Sequence, residues 1–126
     1  MPLSRRQARR QAIFLLYQWD LSGQEIGSQY AGEIDPWSRG VAEAVAGHAP
    51  ELDERITSAA EGWTADRLGT VERSARRVAI HELQTGEVPA EVAINEAVAF
   101  AKRYTSDEAG RLVNGILGRI QREEAA

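Results

Sequence analysis

Residues Leu112-Val113-Asn114-Gly115-Ile116-Leu117 decide the fold class. Asn-Gly between two apolar pairs is the strongest short signature of a β-hairpin, because both residues tolerate the positive φ of a type I′ turn. On a helix, the same letters join Ile120 in a single apolar stripe. The flanks do not alternate apolar and polar, and no other segment reads as a strand for a hairpin to pair with. A lone hairpin is marginal in water. The helix is the better reading. Gly115 and Gly118 then fall on one face. Each costs roughly 1 kcal/mol of helix propensity relative to alanine, so a close helix approach is expected there. Asn114, like Asn95 upstream, is expected to be a hydrogen-bonded structural amide.

Working outward, helical periodicity covers nearly the whole chain. Ser4 caps a first helix, with Gln7 at the capping-box position and Gly23 at its end. Ala8, Ala12, Leu15, Leu16 and Trp19 form its buried stripe. Gly23 to Asp35 reads as a surface connection. Asp35-Pro36 starts a helix with the stripe Trp37, Val41 and Val45, which stops near Gly47. Pro50 starts another, carrying Leu52, Ile56 and Ala59 and ending at Gly62. Trp63, Leu68 and Gly69 form a short link, and Thr70 caps a helix that runs to about Thr85. Beyond Gly86 and Pro89, Val92, Ile94, Ala97, Val98 and Ala101 line the helix before the last. No repeat or low-complexity tract interrupts this pattern, and residues 1–126 read as one domain.

The 126-residue chain is long enough to bury a core without staples. It has no cysteine, which removes disulfides, thiolate nucleophiles and sulfur-ligated metal sites. Ala12 to Tyr17 is too short for a signal h-region, and no run of about 18 apolar residues occurs, so a cytoplasmic protein with no membrane partner is expected. The net charge of −4 is unevenly spread. Arg5, Arg6, Arg9 and Arg10 lie in an N-terminal decapeptide without acids; removing them from fifteen basic residues leaves eleven against nineteen acids, a net −8. A basic tip on an acidic body points to a localised anion contact. Lys102 is the single lysine beside fourteen arginines, an imbalance that coding bias also produces.

Motifs for catalysis are missing. His48 and His81 stand outside any metal-ligand spacing, and no nucleophile elbow, Walker or dinucleotide glycine motif occurs. Neither an active site nor a cofactor is expected. On the first helix, Arg6, Arg10, Ile13 and Tyr17 share a stripe roughly opposite the core, with Arg5 and Arg9 to one side. Arginines bind phosphates bidentately and an adjacent aromatic offers a platform for an unpaired base; a merely solubilising basic end would look the same. Glu82 is the second anomaly, a carboxylate on the apolar stripe of Val71, Ala75 and Val78. It reads either as a carboxylate satisfied by an internal arginine or as a partner-binding residue at the core's edge.

Several segments together, in order, resemble the NusB transcription-antitermination family. Ser4-Arg5-Arg6-Gln7-Ala8-Arg9 with Leu16-Tyr17-Gln18 is similar to its N-terminal arginine-rich helix. Trp63 to Leu68, Val71 to Leu83, Ile94-Asn95-Glu96-Ala97-Val98 and Val113-Asn114-Gly115-Ile116-Leu117 follow the rest. The resemblance implies an all-α bundle of about seven helices in two packed three-helix groups. It also implies a non-catalytic protein that binds single-stranded boxA RNA of ribosomal RNA transcripts with the ribosomal protein NusE, in an antitermination complex on RNA polymerase. A homodimer stays open. Arg5, Arg6, Arg9 and Tyr17 match the family's RNA-facing helix, to which spacing adds Arg10. Glu82, Asp107, Glu108 and Leu112 match regions at or near its partner surface, although an aromatic is common where Leu112 stands. A protein-binding adaptor without RNA recognition is the competing reading.

Overall fold

The computed structural model describes residues 3–60 and 69–125. Its regular elements there are six helices: α1 (Arg5–Ser22), α2 (Pro36–Gly47), α3 (Ala49–Ala59), α4 (Thr70–Thr85), α5 (Ala90–Tyr104) and α6 (Asp107–Ala125). The Asn114-Gly115 pair lies inside α6, so the helical reading of the deciding stretch holds. The expected link at Trp63 and Leu68, and the helix end at Gly62, fall outside the described residues.

The local signals work largely as their chemistry requires. Ser4 Oγ accepts from the Gln7 amide at 3.1 Å while Gln7 Oε1 accepts from the Ser4 amide at 2.9 Å, a complete capping box. Gly23 ends α1 in the left-handed region at φ 71°. Asp35 Oδ1 accepts from the Trp37 amide at 2.9 Å, and Pro36 occupies the first turn of α2. Thr70, expected as a cap, is instead the first residue of α4, with Gly69 in the extended conformation before it. Ser106, which the sequence reading passed over, caps α6 by accepting from the Ala109 amide at 3.0 Å.

The core is aliphatic and draws on all six helices. Ala12, Leu15 and Leu16 of α1 meet Val41 and Val45 of α2, Leu52 and Ile56 of α3, and Val78 and Ile80 of α4. Phe100 of α5 and Val113, Ile116, Leu117 and Ile120 of α6 complete it. Helix α1 packs against both α2 and α4, and α5 against both α4 and α6. Two expectations are corrected by helical phase. Asn95 and Asn114 are exposed, because Ala93, Ile94 and Ala97, and Val113, Ile116 and Leu117, take the inward directions. A Cβ at Gly118 would have only Arg122 Nη1 near it among the described residues, at 3.4 Å, whereas at Gly110 it would lie 2.5 Å from Lys102 Cγ, so α6 comes close to α5 at Gly110.

Charged side chains enter this core. Arg9 of α1 donates from Nε and Nη2 to the two carboxylate oxygens of Glu82 on α4, at 2.6 and 2.8 Å, and Glu82 is 1% exposed. The Glu82 contact raises the Arg9 guanidinium pKa further, against the opposing effect of burial. At the other end of α1, Asp20 accepts from Arg73 at 2.7 Å, and Arg77 bonds Asp53 of α3 through both oxygens at 2.6 Å. Arg76 differs. It is 0% exposed, and among the described residues its three guanidinium nitrogens have no hydrogen-bond partner. Burial pushes its pKa down to about 10, with Glu72 partly opposing the shift.

These placements set stability. Glu82→Gln leaves the Arg9 cation buried without its counter-charge and should cost about 3–5 kcal/mol, read by urea denaturation. Arg76 has the opposite sign. The folded state holds its proton less tightly than the unfolded chain, so a penalty of roughly 3 kcal/mol at neutral pH is relieved only as pH rises through about 10. Arg76→Met removes the charge while keeping most of the volume, and should raise stability by about 1–3 kcal/mol. Asn114→Ala, on the outer face of α6, should change stability by no more than about 0.5 kcal/mol, whereas Ile116→Ala should cost about 2–5 kcal/mol in the same assay.

Candidate nucleic-acid interface

The N-terminal half of α1 is held from one side by the connection to α2. Gln11 Nε2 donates to Tyr30 Oη at 3.1 Å and to the Glu33 carbonyl at 3.0 Å, while its Oε1 accepts from the Asp35 amide at 2.9 Å. Ser38 Oγ donates to the Ala8 carbonyl at 2.7 Å. One buried amide thus ties the loop to the helix at three points. The fold leaves an open groove of about 750 Å³ between them, whose wall includes Arg10, Phe14 and Tyr30.

The four N-terminal arginines, alike in sequence, differ in environment. Arg5 lays its guanidinium 4.2 Å from the centroid of the Trp37 ring and stands 4.0 Å from Glu87. Arg6 is bonded to Glu96 of α5, with Nη2 2.9 Å and Nε 3.1 Å from Oε1, yet its side chain is 64% exposed. Arg9 is buried with Glu82. Arg10 is half-buried, makes no hydrogen bond or ion pair among the described residues, and lines both the large groove and a smaller cavity beside Arg6, Glu96 and Phe100. Tyr17 is half-buried, and Ile13, placed with it on the outer stripe by periodicity, is buried.

Two expectations therefore change. Arg9 does not face solvent, and Glu82 is not a rim carboxylate open to a partner; each satisfies the other inside the molecule. The reason is geometric. Helix α1 packs on α4 through its own basic side, so one arginine must turn inward, and it does so only against a carboxylate.

The structure adds an aromatic cluster that periodicity did not single out. Phe14 lies 5.6 Å from Phe100 and 5.4 Å from Tyr104, nearly edge-on to the latter, and Phe100 and Tyr104 are 4.6 Å apart between centroids. Tyr104 is 42% exposed, and the Arg103 guanidinium stands 5.5 Å from its ring centre. The available signal was the run Lys102-Arg103-Tyr104, basic residues ending on an aromatic at the close of α5. Its pairing with Phe14 could not be read without the α1–α5 packing.

The remaining expected positions lie on α6. Asp107 and Glu108 are exposed in its first turn, where carboxylates complement the helix dipole. Leu112, 7% exposed, closes a cavity of about 270 Å³ with Glu72, Ser106, Glu108 and Ala109, so it offers an edge and not a projecting side chain. Among the described residues no cluster of His, Asp and Glu could hold a metal ion, and no helix is long and apolar enough to cross a membrane.

Known proteins resemble this chain in sequence and fold. The family model described as "NusB family" matches residues 6–122. A relative in Salinispora tropica, named transcription antitermination protein NusB, is 39% identical over 93% of this chain and 94% of its own length. Among solved structures, T. maritima NusB superimposes with a TM-score of 0.83 at 30% identity, covering 98% of this chain and 94% of that one. A crystal structure of the antitermination factors NusB and NusE in complex with dsRNA gives 0.79 at 28% identity, over 94% and 96% of the two chains. A family match over residues 6–122, together with relatives and solved structures matched over nearly the whole chain, has one meaning: the chain belongs to the NusB family.

Proposed function

We propose that this chain is a cytoplasmic transcription antitermination factor that binds single-stranded boxA RNA of ribosomal RNA transcripts together with the ribosomal protein NusE, within an antitermination complex on RNA polymerase, and catalyses no reaction. The observation that carries the reading is Arg10, a cation without a carboxylate partner among the described residues, held beside the large groove by α1. Its neighbours Arg6 and Arg5 are exposed and only superficially engaged, so they can turn to phosphates. Tyr17, half-buried on the same helix, adds an aromatic surface two turns beyond Arg10. Support for RNA contact alongside NusE comes also from a structural relative solved as NusB and NusE in complex with dsRNA. Arg9 and Glu82 serve this interface from behind, by fixing the helix that carries it. The partner surface is assigned to the first turn of α6, with Asp107 and Glu108 presenting charge and Leu112 bracing them from below.

The electrostatics limit how this works. A chain of net charge −4 does not attract polyanions at long range, so affinity rests on a few short contacts and on what the partner contributes. Fluorescence titration of a short boxA-like single strand, with and without NusE, tests the reading; a strand that binds in neither case leaves only the protein-binding adaptor. Within that titration, Arg10→Ala should weaken binding and flatten the slope of log K against log salt by about 0.7. Glu96→Gln should have the opposite effect, because it releases Arg6: binding tightens about 1.5- to 5-fold, the worth of one exposed ion pair.

A further inference from the structure

Beyond the arginines, we propose that Phe14 and Tyr104 form a stacking subsite for one unpaired base of the bound strand, with Arg10 and Arg103 holding the phosphates on either side. This assignment rests on the RNA-binding reading above and names the contact that would make it selective for single strands. Several observations converge. Tyr104 is the most exposed aromatic of the cluster, and its ring is propped by Phe100 at 4.6 Å and by Phe14 at 5.4 Å. A platform fixed in this way loses little freedom when a base settles on it. Helix α1 places Arg10 one turn before Phe14, so a cation lies on one side of the step. On the other, Arg103 sits over the Tyr104 ring at 5.5 Å, further than a stacked pair, and among the described residues it has no carboxylate partner. Glu96, which lines the cavity with Arg10 and Phe100, is taken by Arg6.

The occupant follows from that chemistry. An apolar peptide would leave the flanking guanidiniums unpaired as it desolvated them. A duplex would hide its base faces within its own stack. An unpaired base brings a π-face for Tyr104 and a phosphate at each end for the arginines.

The test uses the full chain, with NusE, and a single-stranded boxA-like RNA carrying 2-aminopurine at successive positions, whose emission is quenched by stacking. For the unsubstituted protein, quenching at one position is expected. Tyr104→Leu should abolish that quench and weaken binding about 5- to 100-fold, while the salt slope stays unchanged because no phosphate contact is lost. Tyr104→Phe should keep both quench and affinity, since the ring does the stacking. Circular dichroism melting confirms that both variants remain folded. If Tyr104→Leu binds and quenches like the unsubstituted protein while Arg10→Ala still flattens the slope, the subsite is wrong and the RNA reading survives. If Tyr104→Leu weakens the grip on NusE in the absence of RNA and nothing else, the aromatic step is a protein contact and the proposal is overturned. If the unsubstituted protein binds no RNA with or without NusE, the functional reading fails first.

Discussion

The buried pair of Arg9 and Glu82 fixes the rotation of α1, and most of the site depends on that rotation. Two charges leave water here, a cost that only a bidentate geometry with short bonds offsets. Such a pair adds little net stability but is intolerant of displacement. With Arg9 held against α4, the advance of about 100° per residue determines where every other side chain of α1 points. Arg5 reaches Trp37, Arg6 reaches Glu96 on α5, and Arg10 is left at the lip of the groove. Phe14 then meets Phe100 and Tyr104. A change of register would exchange the inward arginine for an outward one and separate the aromatics.

Arginine is used in this molecule for distinct purposes, and the partner determines which. Arg73 and Arg77 on α4 bind Asp20 and Asp53, and Arg55 on α3 binds Glu123 and Glu124, so these cations join helices. Arg5 and Arg6 have partners at the surface, where pairing contributes little and is readily exchanged. Arg10 and Arg103 lack carboxylates among the described residues; Arg10 shares a cavity with Phe100, and Arg103 stands beside the Tyr104 ring. Arg76 is the exception in the core, with its guanidinium packed where an apolar side chain would cost less. Availability to an anion is thus graded by the fold, though every one of these side chains carries the same charge.

How far the sequence could be read follows from the range of each signal. Caps and apolar phase act within one or two turns, so the helix boundaries at Ser4, Gly23, Asp35 and Gly86 and the helical nature of Asn114-Gly115 were legible. The inward direction of Arg9 was not, because residues 9 and 82 meet only after α1 packs on α4. Periodicity nevertheless flagged Glu82 as a carboxylate on an apolar stripe; what it lacked was the identity of the partner. Asn95 and Asn114 were misjudged for a related reason. A polar residue beside apolar neighbours looks buried in one dimension, whereas 3.6 residues per turn rotates it outward. The aromatic step joins α1 to the end of α5, and no local pattern in either helix announces it.

The contrast between Arg6 and Arg10 suggests how such a surface can be selective without being strongly basic. Arg6 is bonded to Glu96, so in the proposed interface its contribution to binding any polyanion would be the small difference between two charge-assisted contacts. Arg10 contributes its full interaction, but from a half-buried position that admits a strand in few orientations. The acidic body opposes diffuse attraction from further away. Under these conditions non-specific binding is weak, because it draws on charge alone. A single strand that also places a base on a prebuilt ring gains a contact that salt does not screen. In the proposed interface, selection would come from the coincidence of cation and aromatic at one spacing, which the contacts of α1 with α5 set before any ligand arrives.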